Sequence, residues 1–293
     1  MNAAASTDPD SRDRESSGES SRNDAVPACP PGYSRLAGPS YELIAHNDVV
    51  QSMQQVLSTN ASLYEWARKL PQAVSLRGRA PVYVGELPGI DAVVAVRHVW
   101  HGGMFAPLTK DRFRVPTRAG VELTNSLRLR EVGIGTTEIL GYVLYNAGPG
   151  LRRVDVASRY LPETVDFGTV LSERAPRLLT ASALPAVGSL LMSLAHHRVV
   201  HPDLNVKNIL LQLPAHNGMS GALTSSNAPD AVSAFVIDVD VVRFDVHRSA
   251  SDVMSANLAR LMRSIRKWRT RFGAVIGDDV IERLERDCHE AVQ

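Results

Sequence analysis

The first thirty residues hold almost no large apolar side chain and are dominated by Ser, Asp, Arg, Glu and Pro. Such a segment buries too little surface to offset its ordering entropy, so disorder is predicted over 1–30. Structure is expected to begin near Tyr33. From Asn47 to Leu70 the apolar residues Val49, Val50, Met53, Val56 and Leu57 recur at helical spacing. The period then shortens to two. Residues 81–89 and 91–100 are predicted as strands joined by a turn at Pro88-Gly89. A helix is predicted over 118–132, stopped by Gly133, followed by strands at 141–145 and 155–160 and a connector at Pro162-Glu163. The helical period returns over 178–197, with Leu184, Val187, Leu190, Leu191 and Leu194 on one face. Strands at 209–213 and 234–240 flank a Gly/Ser/Asn-rich loop at 214–231, read as an exposed insertion. Helices at 252–272 and 278–291 complete the order.

This order predicts an α+β protein with a β-rich unit over 31–160, an α-rich unit over 161–293 and a cleft between them. A chain of 293 residues with 44% hydrophobic content can bury a core of that size. The 32 basic and 31 acidic residues nearly cancel, so bulk charge gives no support to a nucleic-acid partner. Cys29 and Cys288 lie near opposite ends without metal-ligand spacing, which fits a reducing compartment. The start of the chain has neither a basic segment nor an apolar one of secretory type, and no apolar run approaches membrane-spanning length. A cytoplasmic protein, or one peripheral on the cytoplasmic face of a membrane, is expected.

Chemistry concentrates in His201-Pro-Asp-Leu-Asn-Val-Lys-Asn-Ile-Leu-Leu211 and Phe235-Val-Ile-Asp-Val-Asp240. Asp203 and Asn208 stand five apart on a loop feeding an apolar strand, and Asp238 ends a second one. This is the H-x-D-L-x-x-x-N spacing of a phosphoryl-transfer loop with a later metal-binding Asp. A lone Asp or Asn in such a loop is by default a turn former, but the joint register makes that account insufficient here. Asp203 is therefore expected to accept the proton of an attacking hydroxyl, and Asn208 and Asp238 to hold Mg²⁺ beside ATP. Asp240 is left open between a supporting role and a solvated charge. For the ATP phosphates a cation is needed with an acid to fix it. Arg97 on the 91–100 strand and Glu122 on the following helix are the candidates, against solvated-face and helix-start readings. Trp100-His-Gly-Gly-Met104 offers backbone amides but is equally an ordinary turn, and Gly78-Arg79-Ala80-Pro81 lacks phosphate-loop spacing. His196 and His197 are adjacent on a helix and cannot share a face. Arg260, Arg263, Arg266, Lys267, Arg269 and Arg271 give the 252–272 helix a basic face, suited to anionic lipid or simply to solvent.

With these residues placed, the chain resembles the lipopolysaccharide kinases of the protein-kinase-like superfamily, and among them the 3-deoxy-D-manno-octulosonic acid (Kdo) kinases. The resemblance covers about residues 75–270. It rests on Arg97-His98, His101-Gly102-Gly103, the helix from Glu122 to Gly133, Arg159-Tyr-Leu-Pro-Glu163, the 201–211 loop, Ile237-Asp-Val-Asp240 and Asn257-Leu-Ala-Arg-Leu-x-Arg-Ser264. It implies a bilobal kinase fold and use of ATP with Mg²⁺. It also implies phosphorylation of the Kdo 4-hydroxyl on a lipid A precursor, at the cytoplasmic face of the inner membrane. Carried over, Asp203 is the acid/base, Asn208 and Asp238 are the metal ligands, and Arg97 with Glu122 form the nucleotide-side pair. Pro202 stands where protein kinases carry Arg, and Val239-Asp240 replaces Phe-Gly, so control by a phosphorylated activation loop is not expected. A kinase for another small molecule or sugar, and a nucleotide-binding scaffold without catalysis, are the competing readings.

Overall fold

The computed structural model describes residues 29–71, 74–76, 81–100, 111–172, 177–214, 231–272 and 276–290. The segment 1–28, the 215–230 loop and the Gly102-Gly103 turn therefore lie outside the described residues. The chain begins with a hairpin the sequence reading did not assign, Tyr33–Ala37 (β1) and Tyr41–His46 (β2), turning at Gly38-Pro39-Ser40. The apolar stretch 47–70 is two helices rather than one, Val50–Thr59 (α1) and Leu63–Lys69 (α2). The break is local chemistry. The Ser62 side chain accepts from the Glu65 amide and restarts the helix as an N-cap.

The remaining strands of the front half are Val74–Leu76 (β3), Val82–Glu86 (β4), Val93–His98 (β5), Phe113–Arg114 (β6), Ile139–Asn146 (β7) and Leu151–Arg159 (β8). They join the hairpin in one antiparallel sheet of order β1-β2-β7-β8-β5-β4-β3, with β6 on β8. Alternation along β5 decides which face each residue takes. Val94 and Val96 are fully buried with Met53 and Leu63 on the α1/α2 side. Arg97 faces the other way, opposite Val156, whose side belongs to the core under helix Arg118–Glu131 (α3) with Leu123 and Tyr142. Gly133 ends α3 as expected. It takes φ 76°, and the Ile134 amide reaches back to the Leu129 carbonyl.

The back half comprises Thr164–Asp166 (β9), Phe167–Leu171 (α4), Arg177–His196 (α5), Val199–Val200 (β10), Ile209–Gln212 (β11), Ser233–Val236 (β12), Arg243–Phe244 (β13), Ala250–Phe272 (α6) and Asp278–Glu290 (α7). Phe167, Leu191, Ile209, Leu211, Leu261 and Ile265 centre its core, which also takes in Leu129 and Ile134 from the end of α3. The exit of α3 is stitched to β12: the Val236 amide donates to Gly135, and the Thr136 hydroxyl donates to the Val236 carbonyl at 2.7 Å. A side chain at Gly135 would stand 2.7 Å from the Ala234 carbonyl oxygen, so glycine is needed for this approach. Among the described residues no helix is long and apolar enough to cross a membrane.

Behind β5, His98 bridges two acids. Its Nδ1 lies 2.6 Å from the fully buried Asp155, and its Nε2 lies 3.2 Å from Asp111. Asp155 also accepts from the Tyr64 amide and the Tyr145 hydroxyl, tying α2 to the sheet. Burial alone would push the imidazole down, but the two carboxylates outweigh it and His98 titrates above its ordinary value. Its charged form therefore contributes stability that is fully present below the unfolded imidazole pKa and is lost as pH rises through the folded value. His98→Gln should cost about 2 kcal/mol near pH 6 and distinctly less near pH 9. Urea unfolding at the two pH values checks this, and a cost independent of pH would contradict it.

Candidate active site

The loop 201–208 is held in shape before any ligand arrives. The Nδ2 groups of Asn208 and Asn205 both donate to the Asp203 carbonyl, each at 2.9 Å. The Asp203 side chain stays exposed on this turn, while Leu204 and Val206 are buried beneath it. Commitment of the Asn208 amide nitrogen leaves its Oδ1 as the group able to face a cation.

Two hydrogen bonds connect this loop to the segment carrying Asp238. His201 Nε2 lies 3.1 Å from the Ile237 carbonyl, and the Ile237 amide donates to the Asn208 carbonyl at 3.0 Å. His201 is fully buried, and that burial holds its imidazole below the ordinary value. A neutral ring with its proton on Nε2 satisfies the carbonyl and leaves Nδ1 buried without a partner. The strand expected to run to 240 stops at Val236. Asp238 then adopts left-handed backbone (φ 58°, ψ 46°), a conformation Asp tolerates better than branched residues, ahead of a 3₁₀ turn at Val239–Val241. The left-handed step breaks the strand's alternation at the acid.

Helix α3 approaches this turn with one face. Arg118, Glu122, Asn125 and Leu129 follow helical spacing. Asn125 donates to the Val239 carbonyl at 2.7 Å and to Val242, and Arg118 pairs with Asp240 at 3.4 Å. Glu122 accepts from Arg97 Nη2 through both of its oxygens. Arg97 and Glu122 thus form the pair expected from the sequence. Burial is the largest influence on each of them, lowering Arg97 and raising Glu122. For Arg97 the pull of Glu122, Asp238 and Asp240 prevails, so the guanidinium titrates above its ordinary value. Glu122 also ends above its ordinary value, because Asp238 and Asp240 add to burial against the pull of Arg97. The Asp240 carboxyl is likewise raised, by burial first and by Asp238 among its neighbours, against Arg118 and Arg97.

That crowding of carboxylates is what a bound cation would relieve. Among the described residues no three of His, Cys, Asp and Glu gather as a metal cage. Mg²⁺ held with nucleotide phosphates needs no such cage, since one or two protein donors suffice beside phosphate oxygens and water. Asn208 and Asp238 fit that requirement.

Helix α6 plays a part that the sequence reading missed. Asn257, fully buried, accepts from the His201 amide at 3.0 Å and donates to the Val199 carbonyl at 2.9 Å. One turn on, Arg260 Nε donates to the Pro202 carbonyl at 2.8 Å, and a further turn on, Ser264 Oγ accepts from the Val206 amide at 3.2 Å. Three side chains along one stripe of the helix therefore hold the backbone of the loop. The basic face of this helix is correspondingly smaller than its composition indicated. Arg260 is spent on the loop, and Arg266 and Arg269 pair with Glu285 and Asp278 of α7. Arg263, Lys267 and Arg271 remain exposed, Arg271 beside the Phe272 ring.

Comparison with known proteins places this arrangement. The Lipopolysaccharide kinase (Kdo/WaaP) family model matches residues 75–288, well over half of the chain. The chain belongs to that family. It is a phosphotransferase acting on a hydroxyl, with the mixed fold described above, an antiparallel sheet in the front half and mostly helices in the back half. A 3-deoxy-D-manno-octulosonic acid kinase of Pasteurella multocida is 26% identical over 213 residues, covering 70% of this chain and 80% of the relative. The enzyme of the same name from Vibrio parahaemolyticus is 26% identical over 214 residues, covering 69% and 79%. A solved structure described as "WaaP in complex with acyl carrier protein" aligns over 86% of this chain and 99% of its own, with 16% identity and a TM-score of 0.41.

Proposed function

We propose that this kinase transfers the γ-phosphoryl group of ATP to the 4-hydroxyl of a Kdo residue on a lipid A precursor. The carrying observation is the double tie between loop and metal-side turn, His201 to Ile237 and Ile237 to Asn208, which fixes Asp203, Asn208 and Asp238 relative to one another. Asp203 accepts the proton as the acceptor hydroxyl attacks. Arg97, anchored through Nη2 on both oxygens of Glu122, offers its Nη1 and Nε donors to the nucleotide phosphates. Asn208 Oδ1 and the Asp238 carboxylate would hold Mg²⁺, which would supply positive charge beside the phosphate oxygens. Asp240 pairs with the exposed Arg118 of α3 and is not assigned to the metal. The boundary between the lobes is taken at residues 160/161, where β8 gives way to the connector.

The acceptor is supported by the Kdo kinases among the relatives and by the absence of the Arg and Phe-Gly elements that serve activation-loop control. Peripheral contact with the cytoplasmic face of the inner membrane is supported by exposed Arg263 and Lys267 on α6. Phosphorus and proton NMR of the product formed from Kdo-bearing lipid A precursor tests the regiochemistry. A phosphate on the 4-oxygen is expected. Phosphate at another position, or on a soluble sugar alone, would replace this reading with that of a different small-molecule kinase.

A further inference from the structure

We propose that Lys207 reads the carboxylate of the acceptor, so that the site selects an acidic sugar by a cation built into the catalytic loop. This rests on the proposed phosphorylation of a Kdo-type acceptor.

The argument begins with charge. Glu122, Asp238 and Asp240 act on one another electrostatically, Asp203 is exposed on the loop and Asp166 pairs with that loop's Lys207, so an acidic acceptor must bring one more negative charge up to an acidic region. The described cations nearby are mostly committed elsewhere. Arg97 is taken by Glu122 on the nucleotide side, and Arg118 pairs with Asp240. Lys207 lies in the loop itself, between Asp203 and Asn208, and is the loop's one lysine or arginine; His201 is neutral and buried.

Its surroundings hold it out rather than use it up. Nζ lies 2.9 Å and 3.0 Å from the two oxygens of Asp166, three residues beyond the connector. The same carboxylate already accepts from the Thr169 amide at 2.9 Å and the Thr169 hydroxyl at 2.7 Å as the N-cap of α4. Asp166 thus divides its charge between a helix start and the ammonium. On the other side Nζ stands 4.9 Å over the Trp268 ring, which stacks on the exposed Phe272. The Lys207 side chain remains 47% exposed, and an ammonium has three donors. A second carboxylate can therefore bind without breaking what is there. The adjoining aromatic pair offers an apolar surface to the sugar ring or its lipid.

The test compares the full-length wild type with Lys207→Met, which keeps the stem and removes the charge, on two acceptors: a Kdo-bearing lipid A precursor and its carboxamide analogue. For the acid, Lys207→Met is expected to raise the acceptor KM about tenfold or more, with the ATP KM unchanged; for the neutral amide the two proteins should differ little. Asp166→Asn retains the cap oxygen and removes a competing charge, so it should lower the acceptor KM for the acid. Equal losses on both acceptors, or an Asp166→Asn loss matching that of Lys207→Met, would reduce the pair to a structural bridge and overturn the proposal. Wild-type turnover of a neutral sugar but not of the acid would overturn the acceptor assignment itself, and the role of Lys207 with it.

Discussion

Asp203→Asn lowers turnover by roughly 10²–10⁴-fold, the range general-base catalysis supplies, and leaves folding stability within about 0.5 kcal/mol of wild type. The two expectations come from different atoms of one residue. The proposed catalysis depends on the carboxylate, which belongs to a residue exposed on the loop. Structure depends on the main-chain carbonyl, which accepts from Asn205 and Asn208 and survives the substitution. ATP binding should persist, because Arg97, Asn208 and Asp238 are untouched. Phosphoryl-transfer rate, thermal unfolding and nucleotide titration on the same preparation separate the effects. Wild-type turnover by Asp203→Asn would remove the residue from the chemistry, and lost folding would place its role in structure.

Asn257→Leu is the substitution with the largest expected effect on the folded state. Leucine keeps the branched skeleton but is bulkier and supplies neither partner. The His201 amide and the Val199 carbonyl are left buried and unsatisfied at a position with no exposure. At about 1–3 kcal/mol for each of the two orphaned groups the loss is roughly 2–6 kcal/mol. For a chain of this size that is on the order of a 5–15 °C fall in Tm. Activity should fall further than stability explains, since the freed segment runs directly into Asp203. Arg260→Ala gives the milder comparison, releasing the Pro202 carbonyl next to Asp203. It should reduce kcat with a smaller change in Tm, and Arg260→Lys should recover part of it by restoring a donor. Equal proportional losses of kcat and Tm across the three variants would mean that the helix only supports the fold.

The parts of the site that the sequence made legible are those whose spacing is local. Asp203 and Asn208 share one turn, so their register survives in one dimension, and Gly133 marks the end of α3 because only a left-handed residue serves there. The Arg97–Glu122 pair crosses 25 positions, yet it was readable because each residue sits on a periodic element whose faces can be counted. The α6 contacts were not readable. Asn257, Arg260 and Ser264 bind main-chain atoms some 58 positions away, and backbone acceptors leave no complementary pattern in the sequence. Asn257 and Ser264 stood out only as parts of a segment carrying the family resemblance, and Arg260 looked like more of a basic, solvated face. The turn at Asp238 was hidden for a related reason: an apolar run predicts strand through it, and only the tertiary hold of His201 and Asn125 stops the strand early. The β1–β2 hairpin did carry a signal, alternation on either side of Gly38-Pro39, beside a tail with almost no large apolar side chain.

Transfer of labelled γ-phosphate from ATP to Kdo-bearing lipid A precursor, by wild type and Asp203→Asn side by side with and without Mg²⁺, tests the central claim most directly. The account predicts label in the lipid fraction with wild type and Mg²⁺, and loss of it when either the carboxylate or the metal is removed. Undiminished labelling by Asp203→Asn, or labelling by wild type that does not need Mg²⁺, would contradict it.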